Sequence, residues 1–183
     1  SGAIASALLS TTASAAVILT TTSYSENFDS TLSGASVAGA FSSTAGVQAA
    51  IPPGGSSSGW DGAKIAGTGT GNMNFTVDNG GANSGAIYNY GSTGSGERAL
   101  GALASGSNTA AVGVELVNNT GLKITEVSIR YLGEFWRSST STQNVLTFAY
   151  LAGASGSTTY LTDIAALPFA SLNLVGPAPV AAN

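Results

Sequence analysis

The chain has 183 residues, enough for one domain with a buried core and an additional arm. Only 8% of its residues are charged, against roughly 25% in an average soluble domain, and a net charge of −4 leaves no basic face for nucleic acid. It contains neither Cys nor His, which excludes Cys- or His-ligated zinc, a Ser-His-Asp triad and a Cys-His nucleophile; carboxylates and carbonyls leave calcium open, but no cofactor is expected.

In chain order, the first segment is "AIASALLSTTASAAVIL", an apolar run with small residues of the kind that ends a signal peptide. The other reading is an ordered arm of the mature protein. Both assign residues 1–24 to an arm and 25–183 to the main domain. Within the arm, Ala15, Ala16, Val17, Ile18, Leu19, Thr20, Thr21 and Thr22 are rich in β-branched side chains, and no charge occurs from Ser1 through Ser25. Free in water, such a segment is an aggregation hazard, so it is expected as an extended strand added to a sheet, in another subunit by strand addition, with folding back onto its own chain as the alternative. No run reaches the ~18 apolar residues that would span a bilayer.

Residues 33–71 are rich in Gly and Ser around Trp60 and read as long surface loops with one or two short strands. Strand signals follow. "NMNFTVD" puts Met73, Phe75 and Val77 on one face, and "GAIYNYG" puts Tyr88 and Tyr90 together. "AAVGVELVN" does the same for Val112, Val114 and Leu116, and "LTFAYLAG" for Leu146, Phe148 and Tyr150. Turns separate them at "PPGG", "DNGG", "NNTG" and "GASG". Between the last two, "LKITEVSIRYL" predicts a long strand with a bulge near Thr125–Glu126, where the apolar register changes parity. Strands at this spacing without helices predict an all-β, antiparallel, jelly-roll-like β-sandwich with an N-terminal extended arm.

Candidate sites are few. Glu134 and Arg137 in "GEFWR" read as a structural pair at a strand end, with Trp136 packed below, rather than as an acid and a clamp. A glycosidase needs a second carboxylate ~5–9.5 Å away, and none can be named among nine scattered acids. Asp78 lies in a hairpin turn that lacks the alternating acids of a calcium loop. "GSTGSGERALG" is Gly-rich but has no Lys to hold a phosphate, and Glu97 and Arg98 are expected to anchor a strand start. Trp60, Tyr88 and Tyr90 form either a sugar platform or, the favoured reading, core packing.

The segments "SENFDS", "AIYNYGSTGSGERALGALASGSN", "VGVELVNNTGLKITEVSIRYLGEFWR" and "LPFASLNL" occur in an order that resembles a β-sandwich domain of secreted bacterial proteins, found with PEP-CTERM sorting tails or beside lamin-tail and extracellular nuclease modules. The resemblance runs from about Ser25 to Asn183 and is most specific at Asn119, Gly121, Tyr131, Glu134, Trp136 and Arg137. It implies export, a jelly-roll-like architecture and no established catalytic residues. The family continues past the "LNL" region with further strands, so a sandwich lacking its C-terminal strands is expected, with a groove for the arm. These readings converge on a non-catalytic, extracellular structural protein that assembles with copies of itself through the N-terminal strand. The alternative is a carbohydrate- or matrix-binding module of a larger secreted protein.

Overall fold

The computed structural model describes residues 16–32, 36–53, 58–138, 143–153, 160–163 and 170–178. Ten strands occupy Ala16–Leu19 (β1), Val37–Phe41 (β2), Ala49–Ile51 (β3), Trp60–Ala66 (β4), Met73–Asp78 (β5), Ala86–Tyr90 (β6), Ala99–Leu103 (β7), Thr109–Asn118 (β8), Val145–Leu146 (β9) and Leu174–Val175 (β10). The fold is all-β, with one helical turn at Tyr160–Asp163 (α1) and a 3-10 turn at Ala170–Leu172. Two four-stranded sheets, ordered β1-β8-β4-β3 and β2-β5-β6-β7, pack as a sandwich, and β9 and β10 form a separate ribbon.

The core takes Phe41, Met73, Phe75 and Ile87 from one sheet and Ile51, with half-buried Trp60, Ala110 and Val112, from the other. Contact is closest at Gly62 of β4: a Cβ there would run into Ile87 and lie 2.8 Å from Phe41. This explains why "WDGAKIA", which lies in the Gly- and Ser-rich region read as loops with one or two short strands, is a seven-residue strand buried between neighbours β3 and β8. Small side chains mark close approach of two sheets here, not solvent. The described residues of 33–71 therefore hold three strands, β2 to β4.

Two of the seven strand pairings are parallel, β1 with β8 and β5 with β6, so the sheets are mixed rather than purely antiparallel. The arm lies in its own chain's sheet: Ala16, Val17, Ile18 and Leu19 pair with Glu115, Leu116, Val117 and Asn118. Thr20, Thr21 and Thr22 follow outside the strand, and Ala15 lies outside the described residues.

The largest departure from expectation begins at Asn118. The turn forms as predicted: the Asn118 side-chain oxygen accepts from the Thr120 amide (3.1 Å) and hydroxyl (2.7 Å), and Gly121 takes φ 75°. The following stretch, expected as a core strand, belongs to no strand or helix, and every residue from Gly121 to Leu132 is exposed. Leu116, Ile129 and Tyr150, expected in the core, are also exposed, while Val112, Val114 and Phe148 are half-buried. Both flanks of β8 are taken, by β4 and β1, so the chain beyond the turn cannot fold back onto β8 as a hairpin partner. β-propensity alone does not make a strand without one.

Candidate functional site

The chemistry-bearing side chains gather where Glu134, Trp136 and Arg137 meet β6. Ile87 points at Gly62 of the facing sheet, so strand alternation turns Tyr88 and Tyr90 to the outer face of β6. There the rings stack, Tyr88 on Tyr90 at 4.9 Å and Tyr90 on Trp136 at 5.7 Å with planes 4° apart. Gly101, opposite Tyr88, leaves room for the Tyr90 ring, which a Cβ would meet at 2.8 Å. The Tyr88 hydroxyl donates to the Ser84 carbonyl at 2.6 Å.

Polar contacts of Glu134, Arg137 and Asp78 hold Trp136 over this stack. Its Nε1–H donates to Glu134 Oε2 at 2.9 Å. The Arg137 guanidinium donates to the carbonyls of Gly81 (3.1 Å) and Ala82 (2.9 Å). The Asp78 carboxylate accepts from the amides of Gly80 (2.7 Å) and Ala82 (3.1 Å), closing the "DNGG" turn that presents those carbonyls. Gly80 sits at φ 96° against the Trp136 carbonyl, where a Cβ would not fit. "GEFWR" is thus a clamp that seals the outer face of one sheet.

Burial lifts the Tyr90 hydroxyl to about 12, with smaller contributions from Tyr88 and Asp78 and opposition from Arg137. Tyr88 is raised in the same direction, again by burial first.

Glu134 has an unforeseen neighbour. The Glu97 carboxyl lies above the usual carboxylate range, through desolvation first, then the charges of Glu134 and Asp29 and a hydrogen bond with Glu134, against the pull of Arg98. The two acids line neither the depression beside Asp78 and Arg98 nor the one beside Tyr131 and Leu174. Among the described residues, no three acids gather as ligands for a metal.

The suggested aromatic platform is not assembled. Tyr88 and Tyr90 are 1% and 7% exposed. Trp60 packs elsewhere, edge-on to Phe28 at 5.0 Å, with its Nε1–H donating to the Tyr24 hydroxyl at 2.9 Å. These partners belong to "SENFDS" and its flank. In that turn Phe28 takes φ 65° while its amide donates to Glu26 Oε1 at 2.7 Å.

Tyr131 is placed on the other side of the clamp. It stacks on Phe148 at 6.3 Å and donates its hydroxyl to the Leu172 carbonyl. Asn119 donates its amide to the Leu19 carbonyl at 2.8 Å, continuing the β1–β8 ladder by one rung.

Sequence reasoning missed the influence of Glu134 on Glu97, 37 positions away, and the burial of Asp61 and Lys64 inside β4. The Lys64 ammonium donates to the Gly69 carbonyl. The adjacency of two opposite charges to Trp60 in "WDGAKIA" was the available signal.

No protein-family model, curated protein or solved structure matches the chain. Among the described residues, no helix is long and apolar enough to cross a membrane.

Proposed function

We propose that this chain is a non-catalytic structural protein of the cell surface or extracellular matrix, which assembles by exchanging its N-terminal strand between copies. The observation that carries the reading is the seat of β1. Its described residues, Ala16–Leu19, pair with β8. It packs beside Gly59, which takes φ 81° and has no room for a Cβ because the Val17 side chain fills the space. The stretch from Thr20 to Ser23 that follows is exposed. A seat for a segment on an exposed tether accepts the same segment from a second copy with identical contacts. When each arm passes to the next subunit in one direction, the contact need not close and yields a filament. Export follows from the resemblance to secreted sandwich domains and from a surface that draws solubility from hydroxyls and amides.

Support for a non-catalytic role comes from the lack of His and Cys and from the "GEFWR" residues being spent on holding the outer face. The test is electron microscopy and sedimentation of the full chain beside a version lacking residues 1–22. The full chain should form high-mass assemblies and the truncated one should fall to one or two copies. A Gly59→Ala variant, which keeps the arm but obstructs the seat, should behave like the truncation. Assembly unchanged in both would overturn the reading.

A further inference from the structure

From Lys123 to Leu132, among the described residues, no backbone amide or carbonyl makes a hydrogen bond. Among the described residues, the same stretch and its flank carry the most exposed large apolar side chains, with Leu132 at 86%, Val127 at 65% and Leu122 at 64%. An unpaired, β-branched, exposed stretch is a template for another strand. Its sequence, "ITEVSIRYL" from Ile124 to Leu132, specifies which one.

We infer that this stretch pairs antiparallel with the same stretch of a second copy, about a two-fold axis through Ser128. Residues opposite one another in such a pair have numbers that sum to a constant. With Ser128 facing itself, Glu126 lies opposite Arg130, and symmetry repeats the ion pair. Val127 then faces Ile129, Ile124 faces Leu132, and Thr125 faces Tyr131. Opposite charges and apolar pairs directly across a ladder are the favourable combinations.

Neighbouring registers lose this match. A shift of one in the sum sets Val127 against Arg130 and Glu126 against Tyr131. Centring on Leu132 pairs Arg130 with Glu134 but needs residues 133–137. These are held by their own chain: Gly133 against Leu174, Glu134 on Trp136, and Arg137 on the Gly81 and Ala82 carbonyls. A centre nearer the start runs into the "NNTG" turn, where Gly121 has left-handed φ. The register about Ser128 is the one in which charge, apolar matching and free backbone agree.

This contact is isologous and closes at two copies. It stands apart from exchange of the N-terminal strand, because β1 and its seat contribute nothing to it.

The test is sedimentation of the full chain with Glu126→Arg and Arg130→Glu variants. Each single variant sets like charges opposite each other twice and should weaken self-association roughly tenfold or more. An equimolar mixture of the two variants restores both opposite pairs and should recover the native association. The chain has no cysteine, so Ser128→Cys supplies the sole thiol. Directly opposed Cβ atoms lie about 4.5–5.5 Å apart in such a pair, and this variant should oxidise to a disulfide-linked dimer. Thr125→Cys places its two thiols about 20 Å apart, at roughly 3.3 Å per residue, and should not. A monomeric full chain, no recovery on mixing, or equal cross-linking at both positions would each overturn the pairing. Deleting residues 1–22 should leave the recovery on mixing intact, which separates failure of this contact from failure of strand exchange.

Discussion

The chain up to Asn118 and the chain after it have similar local sequences and opposite fates. In the first region, "NMNFTVD" and "GAIYNYG" become β5 and β6, paired to each other and to β2 and β7. In the second, "LKITEVSIRYL" has at least as strong an alternation of apolar and polar residues, yet forms no strand and stays exposed. The difference is the partner. β6 has neighbours on both flanks and Gly62 of the facing sheet above it, whereas the later segment follows β8, whose two flanks are already held by β1 and β4. Propensity proposes a strand and a partner makes it.

The largest effect that sharpens this contrast comes from matched truncations. Ile87→Ala opens a cavity between the sheets and should cost about 2–5 kcal/mol. Leu132→Ala, measured at protein concentrations too low for self-association, should change stability by less than about 0.5 kcal/mol. Chemical denaturation of the two variants checks both. A comparable loss at Leu132 would mean that the second region is packed in solution.

This contrast also explains what was legible in the sequence. The all-β class, the faces of β5 and β6 and the "NNTG" turn depend on residues near in sequence, and period-2 patterning reports them. The burial of "WDGAKIA" was not legible, because Gly62 is decisive only once Ile87 and Phe41 stand opposite it. The site was half legible. "GEFWR" could be recognised as structural, but its docking on the Gly81 and Ala82 carbonyls and its meeting with Glu97 join segments far apart in the chain. The arm's strand was legible from its β-branched run, whereas its seat on β8 beside Gly59 was not.

Overpacking probes the first region from the opposite side. Gly62→Val drives a branched side chain into Ile87 and Phe41 and should destabilise by about 1–3 kcal/mol, read as a lowered denaturation midpoint. At Gly121 an added Cβ would meet no atom within 4 Å, so a substitution there meets only the strain of φ 75°. Gly121→Ala should therefore cost less than Gly62→Val, and the reverse order would break the contrast between the regions.

Alkaline pH tests the seam where the second region covers the first. Tyr90 titrates at about 12 in the folded chain against an ordinary value of 10.0. A phenol whose pKa is raised by folding contributes stability that is present below pH 10 and is lost as pH climbs through 10 towards 12, because the unfolded chain ionises first. The midpoint of urea unfolding should fall across that window, and Tyr90→Phe should fall less steeply while losing the Tyr90 phenol's share of the near-UV titration.

The smallest effect is expected at the carboxyl pair on the same seam. Glu134→Gln keeps a side-chain oxygen to accept from Trp136 Nε1 and removes the charge beside Glu97. Glu97 is raised above the usual carboxylate range in the folded chain, so this pair favours folding under acid conditions. That contribution is present below the ordinary carboxylate pKa and is lost as pH rises through the raised folded value. In the variant the charge of Glu134 is gone while desolvation and the charge of Asp29 remain, so the Glu97 titration followed by NMR should move back towards the ordinary value without fully reaching it. Stability near neutral pH should change little, since the Trp136 hydrogen bond survives and a repulsion is relieved. If Glu97 titrates identically in both proteins, the two carboxyls do not touch. If instead the variant unfolds readily, the ionised Glu134 holds the clamp in a way that an amide oxygen does not.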